Sequence, residues 1–330
     1  RHRRIVEHIV ARDLAGVLLF DPLSIRYATD APHMQLWNTH NPFRACLVLA
    51  DGHMVLWEYA GLAYMSAFNP LVREGRRRAS FFYLATRQRT EEKAERFADQ
   101  VDELLRTRAG GNRRLAVDKI QIAGLRALEH LGIVVEDGEE LMERARAVKG
   151  PDEIKAMRCA MYACEQAVAE MRAAARPGLT ENDIWAELHR ANIVRGGEWI
   201  ETRILASGPR TNPWFQECGP RVVKENELVA FDTDLIGCYG MCADISRTWF
   251  IGDGRPTNRQ RSMHAFAYEH IMTNMEVIKP GVTFRELSER GHQLTENYLA
   301  LRYGSRMHGV GLCDEWPAIK YTVDWDSGGY

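Results

Sequence analysis

The strongest fold signal in the second half of the chain is the run Phe231-Asp-Thr-Asp-Leu-Ile-Gly-Cys-Tyr-Gly-Met-Cys-Ala-Asp-Ile-Ser-Arg-Thr248. Leu228 to Ile236 is apolar and β-prone, and Met241 to Ile251 is β-prone again. Between them, Gly237-Cys-Tyr-Gly240 has the composition of a turn. The pattern predicts a β-hairpin.

Three aspartates lie on this predicted hairpin. Asp232 and Asp234 are two residues apart, so their side chains point to the same face of the strand. Asp244 joins them only if it pairs with an even-numbered residue, or if a β-bulge corrects the register. Because aspartate is disfavoured in strands, the pattern favours a metal site over three aspartates on a solvated strand face.

A second segment, His308-Gly-Val-Gly-Leu-Cys-Asp-Glu-Trp-Pro317, adds a histidine. Hard carboxylate oxygens together with one imidazole suit a catalytic Mn, Fe, Co or Zn ion better than a structural thiolate zinc. The predicted metal ligands are therefore Asp232, Asp234, Asp244 and His308.

Length and charge limit the class of protein. A chain of 330 residues corresponds to about two domains. The net charge of −2 argues against a nucleic acid or an anionic membrane surface as the main partner. No apolar run approaches the roughly 18 residues needed to cross a bilayer. We therefore expect neither a nucleic-acid nor a membrane partner.

Seven cysteines are scattered without the spacing of a disulfide framework, which predicts reduced thiols and a cytoplasmic protein. Cys238 and Cys242 could be taken for a thiolate metal pair, but no second pair exists to complete such a site, and packing is favoured. The chain begins at Arg1 and stops at Tyr330 within a β-like stretch. We therefore expect that the sequence is a fragment that lacks residues at both ends, and the presence of a targeting segment stays an open question.

Residues 1–147 alternate between helix and strand patterns, including a hairpin of Ala45–Leu49 and Met54–Glu58, and this predicts an α/β layer domain. The boundary falls in Ala147-Val-Lys-Gly-Pro-Asp-Glu153, because a proline followed by acidic residues is typical of a helix start. Residues 148–330 then form a second domain that carries the hairpin and opens with a long helix to about Ala175.

The second domain contains an internal repeat. Pro177-Gly-Leu-Thr-Glu-Asn-Asp-Ile-Trp-Ala-Glu-Leu188 resembles Pro280-Gly-Val-Thr-Phe-Arg-Glu-Leu-Ser-Glu-Arg290, and each copy has the spacing of a helix capping box. A period this long predicts a duplicated half-domain, with chance similarity of two helix starts as the alternative.

A duplicated α+β domain with carboxylates on a hairpin and a later His-Gly-x-Gly resembles the pita-bread superfamily of methionine aminopeptidase, prolidase and creatinase. Further matches are Pro22-Leu-Ser-Ile-Arg-Tyr27, Ala206-Ser-Gly-Pro-Arg210 and Asp244-Ile-Ser-Arg-Thr248. The resemblance implies a creatinase-like α/β domain followed by a pita-bread domain with a pseudo-two-fold repeat, whose carboxy-terminal strands are missing from this chain.

Two departures from the peptidase pattern are informative. The peptidases carry a substrate-binding Pro-His where this chain has Pro213 and Trp214, and a His-Glu-x-Pro where it has Asp314 in place of the histidine. Both histidines that assist amide hydrolysis are therefore missing. Neither Asp232 nor Asp234 has the peptidase spacing to Asp244, so both are expected to bind metal.

This combination, together with Trp37-Asn-Thr-His-Asn-Pro42, is similar to the DddP-type dimethylsulfoniopropionate lyases. The resemblance implies a homodimer that binds iron, or alternatively Mn, Zn or Co, and cleaves a small sulfonium carboxylate to dimethyl sulfide and acrylate. It also implies that Asp314 is the general base. The family uses two further glutamates in its last strands as metal ligands, and this chain ends before them.

A sulfonium cation favours aromatic faces. Trp37, Trp214 and Trp316 are the candidate substrate-binding residues, and Tyr303 is a candidate catalytic residue that also has a suitable ring. Taken singly, each ring is more often part of a core than of a ligand cage. Two other functions stay open, an Xaa-Pro metallo-aminopeptidase or prolidase and a non-catalytic pita-bread binding module. The missing histidines count against the first, and the retained metal ligands count against the second.

Overall fold

The computed structural model describes residues 1–59, 61–77 and 80–327. It divides into two compact units, one from Arg1 to Gly150 and one from Pro151 onwards. Each unit has its own buried apolar core.

The first unit is built on a six-stranded mixed sheet in the order β4-β3-β2-β1-β5-β6. Strands β1, β2 and β3 are antiparallel neighbours, and the other pairs are parallel. Its core includes Trp57, Phe81 and Phe97. The strands are β1 (Gly16–Leu19), β2 (Ala45–Leu49), β3 (Met54–Glu58), β4 (Val72–Arg77), β5 (Arg114–Val117) and β6 (Val134–Asp137), and the helices are α1 (His2–Ala11), α2 (Pro22–Thr29), α3 (Gln35–Asn38), α4 (Tyr83–Thr86), α5 (Thr90–Arg108), α6 (Ile122–His130) and α7 (Glu139–Ala147).

The second unit repeats one order of elements, a long helix followed by a short capped helix and then strands. Thr180 and Asp183 form a capping box at the start of α9, and Thr283 and Glu286 form one at the start of α11, so both predicted helix starts are confirmed. The helices are α8 (Pro151–Ala174), α9 (Glu181–Ile193), α10 (Asn258–Val277), α11 (Phe284–Arg290) and α12 (Glu296–Leu299).

The strands of the second unit form three small sheets. One has the order β11-β10-β7, another β12-β9-β8, and the third pairs β13 with β14. The predicted hairpin is therefore divided between two sheets instead of forming one ladder. The strands are β7 (Trp199–Ile200), β8 (Leu205–Ser207), β9 (Glu227–Phe231), β10 (Leu235–Ile236), β11 (Cys242–Ala243), β12 (Arg247–Ile251), β13 (Met307–Val310) and β14 (Asp314–Ile319).

All seven cysteines are free, as predicted. Across the described ranges, none of the helices is long and apolar enough to span a bilayer.

Candidate metal centre and active site

The three hairpin aspartates lie where the two halves of the hairpin separate. Phe231 pairs with Arg247 on one side of the gap, and Leu235 pairs with Ala243 on the other. Three residues fill the gap on each strand, so the register is the same on both sides and Asp244 lies across from Asp234. Even-numbered residues therefore face each other, which is the register that a common carboxylate cluster requires.

Thr233 holds the gap together. Its buried hydroxyl donates to the carbonyl of Ala243 at 2.8 Å and accepts from the backbone N–H of Ile245 at 3.0 Å. These two bonds replace a backbone ladder between the strands, and they leave the neighbouring aspartates free to turn their carboxylates into the site. This role of Thr233 was not predicted, because a hydroxyl that bridges two strands has no sequence signature of its own.

On the other side of the aspartates lies the segment from β7 to β8, which has one residue more than the segment from β9 to β10 that it faces. Ile200 pairs with Leu235 and Leu205 with Phe231, which leaves four residues opposite three. The N–H of Asp232 donates to the carbonyl of Ile204 at 2.9 Å, so the ligand strand stays attached. This irregularity has the residue count of a β-bulge, and bulges beside active sites reorient side chains.

The β13–β14 hairpin brings the second motif to the aspartates. The N–H of Cys242 donates to the carbonyl of Gly311 at 2.8 Å, which fixes this hairpin to β11. His308 Nε2 lies 3.4 Å from Asp244 Oδ2, and His308 Nδ1 lies 3.6 Å from Asp314 Oδ1. The structure therefore brings together Asp232, Asp234, Asp244, His308 and Asp314 in one cluster.

The cluster has an excess of negative charge. Burial, and then repulsion from Asp244, raises the pKa of Asp232 to about 7. Burial and the charge of Asp314 raise the pKa of Asp234 to about 6. The hydrogen bond between Asp244 and His308 lowers the pKa of Asp244 and raises that of His308 to about 9. Burial raises the pKa of Asp314.

These residues fit a divalent cation. Among the described residues, none of the four aspartates forms an ion pair with a lysine or an arginine, so a divalent cation would balance their charge. His308 Nδ1 lies 3.0 Å from the carbonyl oxygen of Gly309, which only accepts, and this favours the tautomer with hydrogen on Nδ1. Nε2 then keeps its lone pair for a metal, in the arrangement typical of histidine ligands.

An aromatic group lies in the same unit. The rings of Phe215 and Tyr303 are 5.5 Å apart, and Trp214 lies 6.3 Å from Phe215. Burial, and then the charges of Asp314 and the other site aspartates, raises the pKa of Tyr303. Two of the predicted rings are therefore linked through Phe215, which the sequence analysis missed although it follows Trp214 directly.

The other two predicted rings have packing partners. Trp316 lies two residues after Asp314 on β14, and its ring packs edge-on against Phe284 of α11 at 5.4 Å. Trp37 belongs to the first unit, where it stacks on Phe43 at 4.9 Å. A substrate-binding role for Trp37 and Trp316 stays a prediction.

The segment that carries Trp214 is anchored by a buried carboxylate that the sequence analysis missed. Glu181 accepts from the N–H and the hydroxyl of Ser207 at 2.8 and 2.7 Å, and from the N–H of Gly219 at 3.1 Å. It also pairs with Arg210. One carboxylate thus joins both ends of the loop formed by residues 207–219, which carries Trp214, to Arg210 within it. The sequence signal that could have indicated this role is the acidic residue that directly follows the helix cap Thr180.

Comparison with known proteins identifies the family of the chain. The model of metallopeptidase family M24 matches residues 155–328. The chain belongs to this family, whose members depend on divalent metal ions. The predicted membership of the pita-bread superfamily is therefore confirmed, as is the α+β fold class.

Within the family, the chain is similar to two dimethylsulfoniopropionate lyases called DddP. The proteins from Roseovarius nubinhibens and Roseobacter denitrificans are each 57% identical over 335 aligned positions, which cover 100% of this chain and 75% of each relative. Among solved structures, the X-Pro aminopeptidase of Thermotoga maritima superposes with a TM-score of 0.75 at 19% identity, covering 98% of this chain and 85% of the other. That likeness concerns the fold alone.

Proposed function

We propose that this protein is a metal-dependent lyase that cleaves dimethylsulfoniopropionate to dimethyl sulfide and acrylate. The observation that carries the proposal is the carboxylate of Asp314, 3.6 Å from His308 in the candidate metal cluster, in a chain 57% identical to two lyases of this name. When the Asp314-Glu-Trp-Pro317 segment is compared with the similar motif of the superfamily's peptidases, they have a histidine at the position of Asp314. A carboxylate can accept a proton from carbon, and this suits an elimination.

The reaction removes one proton from the carbon next to the substrate carboxylate and releases dimethyl sulfide from the following carbon. The electron pair of the broken C–H bond becomes the new C=C bond, and the pair of the C–S bond leaves with sulfur. The proton is very weakly acidic beside a free carboxylate. A bound divalent metal supplies Lewis acidity that draws charge from this carboxylate.

In this proposal Asp232, Asp234, Asp244 and His308 hold the metal. Their donor set of carboxylate oxygens and one imidazole suits iron, manganese, cobalt or zinc. We propose iron on the resemblance to the lyase family. The two raised aspartate pKa values support the assignment, because a cation nearby would offset the burial and the repulsion that raise them.

Asp314 is proposed as the general base. It is the first residue of β14, and its side chain is 45% exposed, so a substrate can reach it. Its pKa is raised by burial and by the charges of Asp244 and Glu315, while His308 acts in the opposite direction. A carboxylate with a raised pKa is a better proton acceptor near neutral pH than an ordinary one.

Tyr303 is proposed as a hydrogen-bond donor to the substrate and not as a base. Its pKa is raised by burial and by four nearby aspartates, so the phenol keeps its proton near neutrality. Its ring, together with Phe215 and Trp214, offers aromatic faces to a sulfonium group that has no hydrogen to donate.

The resemblance also leads us to propose that the protein is a homodimer, and the scattered cysteines lead us to propose that it is cytoplasmic. Metal analysis of the purified protein, light scattering and cell fractionation test the iron, the dimer and the location separately.

The deciding experiment is headspace detection of dimethyl sulfide from metal-loaded protein given dimethylsulfoniopropionate, with Asp244→Ala as the metal-site control. Sulfide from the parent protein and none from the control is the expected result. A protein that holds metal but releases no sulfide contradicts the proposal, and Xaa-Pro dipeptides are then the next substrates to test.

A further inference from the structure

Two cysteines of the second unit lie on elements that pack against each other. Cys159 is on α8 and is exposed, and Cys238 is half-buried at the start of the turn 238–240 between β10 and β11. Helix α8 contacts this turn. Both thiols are free, and neither has a role in the proposed reaction.

The backbones of the two elements meet directly beside these cysteines. A side-chain carbon added to Gly237 would lie 3.0 Å from Cβ and 3.2 Å from Cα of Ala160, so this close approach needs a glycine. Gly237 precedes Cys238 in the chain, and Ala160 follows Cys159. Consecutive Cα atoms are about 3.8 Å apart, and a disulfide joins Cα atoms up to roughly 7 Å apart. The contact therefore brings the two cysteines into the region that one disulfide bond can span.

The turn holds Cys238 in a defined place. The N–H of Gly237 donates to the carbonyl of Met241 at 2.9 Å, and the N–H of Gly240 donates to the carbonyl of Gly237 at 3.1 Å. Burial, and then the charge of Cys159, raises the pKa of the Cys238 thiol. Because salt water screens a charge within about 10 Å, the second effect agrees with thiols that are close neighbours.

We propose that Cys159 and Cys238 form a redox modification site, at which a small disulfide oxidant joins α8 to the turn by a reversible disulfide bond. Disulfides of cytosolic proteins are usually transient and redox-sensing, and this bond is of that kind. It fixes the outer end of the hairpin, whose strands β10 and β11 lead to Asp234 and Asp244. Oxidation therefore restrains the segment that carries the metal-site aspartates.

The bond forms by thiol–disulfide exchange in two steps. The thiolate of the exposed Cys159 attacks one sulfur of the oxidant, which gives a mixed disulfide and releases one small thiol. The thiolate of Cys238 then attacks the sulfur of Cys159 and releases the second small thiol. Two protein thiols are oxidised, and the two sulfurs of the oxidant are reduced. The protons of the protein thiols end on the released thiols.

The test identifies the bond by mass spectrometry. The folded, metal-loaded protein is incubated with glutathione disulfide, its remaining thiols are blocked with N-ethylmaleimide, and it is digested with trypsin and chymotrypsin without reduction. Chymotrypsin cleaves after Tyr162 and Tyr239, which separates each cysteine of the pair from the next cysteine in the chain. We expect a cross-linked pair of peptides that dithiothreitol releases. Glutathione on Cys159 without any cross-link overturns the proposal.

Three variants make the assignment specific. Cys159→Ser and Cys238→Ser should each lose the cross-link. Cys313→Ser is the matched control and should keep it, because Cys313 lies in the turn between β13 and β14, where its thiol donates to the carbonyl of Asp314 at 3.1 Å. A cross-link that survives Cys238→Ser, or one that is lost in Cys313→Ser, contradicts the assigned pair.

Thermal unfolding provides a second readout. A disulfide that closes the long loop between residues 159 and 238 restricts the unfolded chain, so oxidation should raise the Tm of the parent by roughly 4 to 10 °C. Cys159→Ser should show no such rise after the same treatment. A cross-linked parent whose Tm is unchanged or lower overturns a bond that the native fold accommodates. None of these measurements uses lyase activity, so their outcome is separate from that of the proposed function.

Discussion

His308 Nε2 lies 3.4 Å from Asp244 Oδ2, and this contact joins the two sequence motifs into one site. The pair explains why the pKa of the histidine is raised to about 9 while that of the aspartate is lowered. Each group stabilises the charged form of the other when no cation lies between them. In the proposed metal centre, the ion would replace this attraction by binding both residues.

Replacing the proposed base should separate chemistry from metal binding. In Asp314→Asn, the amide cannot accept the proton, so kcat for dimethyl sulfide release should fall by roughly 100-fold or more. The metal content should stay that of the parent, because the proposed ligands are intact. Gas chromatography and elemental analysis of the same sample provide both values, and unchanged turnover removes Asp314 from the base role.

Tyr303→Phe distinguishes a donor from a base. Loss of one hydrogen bond of about 1 to 1.5 kcal/mol should lower kcat/KM by roughly five- to tenfold. The rise of activity with pH on the acid side should remain, because it reports Asp314. A loss as large as that of Asp314→Asn, with the acid-side rise gone, would instead identify Tyr303 as the base.

Phe215→Leu tests the aromatic recognition of the cation. Leucine keeps the apolar volume but removes the ring that lies 5.5 Å from Tyr303. We expect KM for the sulfonium substrate to rise by roughly five- to thirtyfold, which corresponds to about 1 to 2 kcal/mol of cation–π attraction. Tyr162→Leu, an exposed aromatic residue on α8, is the control and should leave KM unchanged. Equal KM values for all three proteins exclude Phe215 from the cage.

Glu181→Ala should destabilise the second unit and loosen the loop that carries Trp214. Glu181 is fully buried, and its removal leaves Arg210 and Ser207 without their acceptor. The expected loss is about 3 kcal/mol or more in the free energy of unfolding. Glu217→Ala on the same loop, where the carboxylate is 63% exposed, should change it by less than about 0.5 kcal/mol. Denaturant titration measures both, and equal losses would deny Glu181 its anchoring role.

The metal-free protein should lose stability as pH rises from about 4.5 to 6.5. Asp232 has a pKa of about 7 when folded and near 3.9 when unfolded, so the folded state binds more protons in this window. Each such proton lowers the free energy of unfolding by up to about 1.4 kcal/mol per pH unit. The contribution of His308 to stability is full below its unfolded pKa of about 6.5 and is lost as pH rises from there towards about 9.

Chemical denaturation at several pH values checks that Asp232 is protonated in the folded, metal-free protein, and two comparisons are needed. Asp232→Asn should make the dependence shallower, while Asp118 and Asp234, whose pKa values are also raised, to about 7 and about 6, keep part of it. Bound metal should act in the same direction because it favours the deprotonated carboxylate. An unchanged dependence in Asp232→Asn would show that Asp232 is not protonated in the folded state.

Much of the fold follows from local sequence. The β2–β3 hairpin has the predicted bounds, and the capping boxes at Thr180 and Thr283 form as expected, because turns and helix starts depend on residues a few positions apart. Strand alternation predicted that Asp232 and Asp234 share a face, but in the structure both lie between β9 and β10, and Asp234 has a φ of +42°, so alternation does not place them. The division of the predicted hairpin between two sheets was missed, because it depends on pairing with β7 and β8, which lie far away in sequence.

Residue types and their spacing were enough to predict the donor atoms, namely which carboxylates and which imidazole the chain can offer, because both are local properties. Tertiary packing brings His308 and Asp314 to those carboxylates, through the bond between Cys242 and Gly311. It also decided that Cys242 faces Asp234 and Asp314, and that Phe215 contacts Tyr303. Burial and charge at such contacts shift the pKa values, and they exist only when distant segments are packed together.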